Sequence, residues 1–91
     1  MPSVVDSVDE IRSAIVQLHS AAVQDDDLWR RQAAEQLEQL FAGIVNSQEL
    51  HAAARDALRL YGGGMGGFQD AGTPAMASAI TRLSEALRHA I

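Results

Sequence analysis

Ninety-one residues make one small domain, near the lower limit of what folds alone. The chain carries a net charge of −5, its seven basic residues are all arginine, and it holds no cysteine. Disulfides, thiolate metal sites and cysteine nucleophiles are thereby excluded. An acidic chain without a basic stripe also lacks the phosphate contacts that supply most nucleic-acid affinity, so no nucleic-acid partner is expected.

Apolar residues make up 47% of the chain. Many of them are alanine, which buries little area per residue, so the expected core is thin. A partner that adds buried surface is in keeping with that composition. The stretch from Met1 to Glu10 is acidic and has no apolar run of the signal-peptide kind. No window approaches the ~18 apolar residues of a membrane span. The expectation is a cytoplasmic protein with no membrane association.

Four helices are predicted from the 3.6-residue period. Over 7–23, Val8, Ile11, Ile15, Leu18 and Ala22 form one apolar stripe. Ser7 and Glu10 make a capping box at its start, and Ser3 with Asp6 offers an opening one turn earlier. The second helix is expected over 26–45. Its acidic start, Asp25-Asp26-Asp27, suits the partial positive charge of a helix N-terminus. Asp26–Arg30, Asp27–Arg31 and Arg31–Glu35 are spaced to pair along its surface. Trp29, Ala33, Leu37, Leu40, Phe41 and Ile44 read as its buried face, with the position of Trp29 beside the acidic run leaving open an exposed interface anchor, and Gly43 costs about 1 kcal/mol in helix propensity.

The third helix is expected over 47–61, capped by Asn46 or Ser47. Glu49 is placed to reach back to an Asn46 cap. Leu50, Ala53, Ala54, Ala57, Leu58 and Tyr61 form its apolar set. Thr73-Pro74 opens the fourth helix, over 74–90, because a threonine cap followed by proline at the first helical position is a strong start signal. Its stripe is Met76, Ile80, Leu83, Leu87 and Ile91. No stretch alternates with period two. The predicted fold is all-α, a single-domain four-helix bundle spanning 1–91.

Between the third and fourth helices lies Gly62-Gly63-Gly64-Met65-Gly66-Gly67-Phe68-Gln69-Asp70. Five glycines in six positions are costly to order, and Met65 and Phe68 supply apolar anchors. The literal G-x-G-x-x-G at Gly62, Gly64 and Gly67 follows a helix rather than a strand, and the chain has no lysine for a phosphate loop. The run therefore reads as a structural turn or a partner-recognition loop. Arg59 and Arg55 share a face at i,i+4, and Asp56 and Glu49 are candidate partners within the helix. An Arg59–Asp70 or Arg55–Asp70 bond would anchor the loop, and an exposed arginine pair awaiting an acidic partner is the alternative.

No catalytic constellation accompanies the loop. His19, His51 and His89 fall on three different helices, and the three consecutive aspartates point in different directions on a forming helix rather than converging on a cation. No enzyme activity, metal or cofactor is expected.

Trp29 with Leu37 and Leu40, followed by a helix that runs from Leu58-Arg59-Leu60-Tyr61 into this loop, resembles a family of small bacterial proteins of unknown function. Members carry Phe/Tyr-Gly-Gly-Met-Gly-Ser-Phe/Leu-Asn-Asp. Met65, Phe68 and Asp70 match that pattern. This chain has one extra glycine, Gly67 where serine is usual, and Gln69 where asparagine is usual. The resemblance implies a small, acidic, helical protein similar to the immunity proteins that neutralise bacterial polymorphic toxins. On that reading the partner is a basic toxin domain, and the contact surface is Asp25, Asp26 and Asp27 with Met65, Phe68, Gln69 and Asp70. Gly62, Gly63, Gly64, Gly66, Gly67 and Arg59 would shape the loop. Two other readings stand beside it: a self-associating helical domain that forms a homodimer, and a small-ligand carrier with a pocket under the glycine-rich loop.

Overall fold

The computed structural model describes residues 3–61 and 73–90, with the side chains of Leu60 and Tyr61 left aside. Four helices follow in order: α1 (Val4–Gln24), α2 (Leu28–Leu40), α3 (Ser47–Tyr61) and α4 (Pro74–His89). There is no strand among the described residues, so the fold is all-α.

The start of α1 is set by the earlier of its two candidate caps. The Ser3 hydroxyl accepts from the Asp6 amide at 3.1 Å, and Ser7 lies inside the helix with its own amide on the Ser3 carbonyl. The extra turn adds Val4, which packs against the core together with Val8.

Helix α2 is shorter than its expected span. It is capped by Asp27 and ends at Leu40, not Val45. Phe41 turns out of the helix with φ −97° and ψ 5°, and the Ala42 amide bonds to the Gln39 carbonyl at 3.2 Å. Gly43 then takes φ 75°, the left-handed region that glycine enters without a Cβ clash. What reads in the sequence as a mild propensity cost inside a helix is the residue that lets the chain leave it.

Asn46 caps α3 as a near-reciprocal pair with Glu49. Its Oδ1 accepts from the Glu49 amide at 2.8 Å, and its Nδ2 donates to the Glu49 carboxylate at 3.3 Å. Thr73 caps α4 by accepting from the Met76 amide at 3.2 Å, with Pro74 in the first turn.

Helix α1 is central. It packs chiefly on α4 and α2, α3 packs on α4 and more lightly on α1, and α2 meets α1 almost exclusively. Two cross-helix bonds show that α1 and α4 run antiparallel: Thr73 to Asp25 at 2.8 Å, and Arg82 to Gln17 at 2.8 Å. Ten of the nineteen buried apolar residues are alanine. The larger volume comes from Ile11 and Leu18 of α1, Leu37 and Phe41 at α2, and Met76 and Leu83 of α4. The thin core expected from the composition is what packs here.

Trp29 is the exception to the expected core. It is 51% exposed, and the buried face of α2 begins one turn later at Ala33 and Ala34. At 100° per residue the buried set Ala33, Ala34 and Leu37 centres about 90° from Trp29, which leaves Trp29 at the edge of the buried face and Arg30 near its middle.

Candidate functional site

The acidic run forms the three-residue corner between α1 and α2, and each aspartate does something different. Asp26 has φ 54°. Its amide bonds back to the Val23 carbonyl at 3.2 Å, and the Asp27 amide to the Ala22 carbonyl at 2.8 Å. These two bonds are the Schellman closure of a helix C-terminus, with aspartate in the left-handed position usually held by glycine. Aspartate and asparagine enter that region more readily than other side chains.

Asp27 then opens α2. Its Oδ1 accepts from the Arg30 amide at 3.1 Å, and its Oδ2 pairs with the Arg30 guanidinium at 2.6 Å. The Arg30 amide, then the Arg30 side chain and the Trp29 amide, hold the Asp27 carboxyl below its ordinary pKa against the opposing effect of partial burial. The expected Asp26–Arg30 and Asp27–Arg31 pairs are thus replaced by one Asp27–Arg30 pair at i,i+3, because Asp27 is the cap itself and Asp26 belongs to the turn before it. Arg31 and Glu35 stand 4.0 Å apart, and His19 of α1 lies 3.8 Å from the same carboxylate. Asp25 accepts the Thr73 hydroxyl, tying the corner to the start of α4.

Three apolar side chains stand exposed among these charged groups. Val23, Leu28 and Trp29 are 54%, 61% and 51% exposed. A cleft of about 150 Å³ is lined by Ala22, Val23, Asp26, Asp27, Leu28 and Arg31. Sequence reasoning placed the aspartates here and left open an exposed Trp29 beside them, but missed Val23 and Leu28. The available signal was Leu28, which falls off the α2 stripe directly after the acidic run.

Charge is divided unevenly along the chain. Residues 1–46 hold eight acidic side chains against three arginines, whereas residues 47–91 hold four of each. Three of those eight, Asp6, Asp9 and Glu10, lie near the start of α1, at the opposite end of that helix from the corner.

The other expected contact residues, Met65, Phe68, Gln69 and Asp70, lie outside the described residues, as do Gly62, Gly63, Gly64, Gly66 and Gly67. Arg59 is within the described part and pairs with Asp56 at 3.2 Å, both exposed. Open clefts of about 470 and 520 Å³ run along α3 and share Ala52 and Arg55. Among the described residues no group of three or more histidine, aspartate or glutamate side chains is placed to hold a metal ion. No helix among them is long and apolar enough to cross a membrane.

No protein-family model matches this chain, and neither a curated protein nor a solved structure shows significant similarity to it.

Proposed function

We propose that this chain is a non-enzymatic protein-binding domain, a cytoplasmic immunity protein of bacterial type that neutralises a basic toxin domain by covering it. The observation that carries the reading is the exposure of the only tryptophan, beside exposed Leu28 and Val23, at the acidic corner of the molecule. Large apolar side chains rimmed by charge are the usual composition of a contact surface, and tryptophan is over-represented among residues that dominate binding energy. Negative charge speeds association with a basic partner. On this reading Asp25 and Asp26 meet the toxin directly, and Asp27 holds the corner in shape. On the same reading Met65, Phe68, Gln69 and Asp70, which lie outside the described residues, would also contact the toxin, and the domain is a small four-helix bundle.

The test is co-expression with the toxic product of the gene adjacent to the one encoding this chain. Restored growth and a stoichiometric complex that weakens in Trp29→Ala support the reading. Continued toxicity with both proteins folded and expressed removes it.

One observation favours self-association as a second reading. Val5, Val16 and Val23 are all more than half exposed, and at 3.6 residues per turn they fall within about 20° of one another on α1. Three valines present far less than the roughly 800 Å² per partner of a stable interface. A concentration-independent monomer in sedimentation equilibrium discards this second reading.

A further inference from the structure

We propose that residues 5–16 of α1 pair antiparallel with the same residues of a second copy of this chain, about a two-fold axis that passes between Glu10 and Ile11. The inference rests on the self-association reading above and specifies its register and its charge pairs.

Val5, Asp9, Arg12, Val16, His19 and Val23 are spaced alternately four and three residues apart. That is the seam spacing of packed helices, and at 100° per residue it keeps all six within about 40° of Val5. The seam lies on the surface of α1 that the fold leaves open. Beside Val16, Gln17 turns toward α4, where it accepts from Arg82 at 2.8 Å, and His19 turns toward α2, 3.8 Å from Glu35. Val5 and Val16 are 67% and 63% exposed, and Asp9 and Arg12 between them are exposed as well. Helix α2 has 13 residues against the 21 of α1 and starts from its C-terminal end, so it leaves the first part of α1 unflanked.

An antiparallel pair centred between residues 10 and 11 sets Val5 on Val16 and Asp9 on Arg12 of the second copy, each twice by symmetry. Every seam contact is then valine on valine or acid on base. Asp9 and Arg12 are free for it, because among the described residues neither has an ion-pair partner, not even each other. A register centred on Ala14 would use all six seam positions. It would set Arg12 on Val16, and Asp9 on a His19 that already faces Glu35. Charge complementarity therefore selects the first register. The contact is smaller than the roughly 1,200 Å² at which stable interfaces begin, which places it in the transient class, with charge fixing register more than affinity.

Sedimentation equilibrium of the whole chain at low salt, up to about 1 mM, covers the range in which so small a contact associates. Wild type is expected to dimerise. Asp9→Arg and Arg12→Asp should each associate about tenfold more weakly, since either one turns two attractive pairs into two repulsive ones. The informative sample is an equimolar mixture of these two variants. Position 9 of each copy then meets the opposite charge at position 12 of the other, so the mixture should recover the association of wild type. Both variants remain net acidic, so general attraction would not produce that recovery, and neither would a loss of folding. A dimer that neither substitution weakens, or a mixture no stronger than its components, overturns this pairing and leaves self-association standing. A monomer at every concentration overturns both. The toxin reading is decided separately, by the co-expression test.

Discussion

Thr73 and Asp25 are joined across the fold by a 2.8 Å hydrogen bond in which the threonine hydroxyl donates to the carboxylate. The same hydroxyl accepts from the Met76 amide, so one oxygen both caps α4 and ties its start to the end of α1. Thr73→Ala should cost about 1 kcal/mol, the usual loss of a helix cap, and Thr73→Ser should retain nearly all of it. Asp25→Ala removes only the exposed tie and should cost about 0.5 kcal/mol. Urea denaturation of the three variants and of the Asp25/Thr73 double variant separates the cap from the tie.

The two left-handed residues among those described predict changes of opposite sign. Asp26 at φ 54° takes a conformation that carries a Cβ penalty, so Asp26→Gly should stabilise the domain by about 1 kcal/mol. Gly43 at φ 75° has open space around a built Cβ, yet its backbone is one that alanine adopts poorly, so Gly43→Ala should destabilise by about 1 kcal/mol. In a domain of this size, each shift is about 4–8 °C in Tm by calorimetry.

Asp27 makes the fold acid-sensitive in a definite direction. Its folded carboxyl titrates below the ordinary 3.8, held there first by the Arg30 amide. A depressed folded pKa contributes stability that is complete above the unfolded value and is lost as pH falls through the folded one. Wild type should therefore lose stability relative to Asp27→Asn between about pH 5 and the folded midpoint, the window set by that direction. Parallel denaturation curves of the two proteins across this range would contradict the capping geometry.

Phe41→Ala should be the most damaging single change among these. Phe41 is 1% exposed and anchors the end of α2. Truncation of a buried phenylalanine costs about 3–5 kcal/mol. A 91-residue domain holds on the order of 5 kcal/mol in total, so the variant should show no cooperative transition at 37 °C by circular dichroism.

Legibility in the sequence followed the range of the forces involved. Asn46 with Glu49 and Thr73 with Pro74 are read from neighbours three residues apart or closer, and the structure has those caps where the pattern puts them. The end of α2 was hidden because a glycine inside a periodic stripe looks the same whether it is tolerated or used as an exit. Trp29 shares a four-residue spacing with Ala33 and Leu37, but that row drifts around the helix by 40° per step, and Ala34 shows that the buried face lies to one side of it. The corner itself was half visible. Three aspartates announce a helix start, whereas the left-handed turn at Asp26 and the reach from Asp25 to Thr73, 48 residues on, depend on tertiary geometry.

Helix α2 is fastened along one side only, with α1 as its single substantial neighbour among the described helices and a sharp turn at either end. Segments with so few supports open as units at a cost below that of global unfolding. Amide protons of α2 should accordingly exchange ahead of those in α1 and α4, and a protease should nick the chain first at one of its two hinges. The same helix carries Trp29, so the surface proposed to grip another protein rides on a helix held from one side.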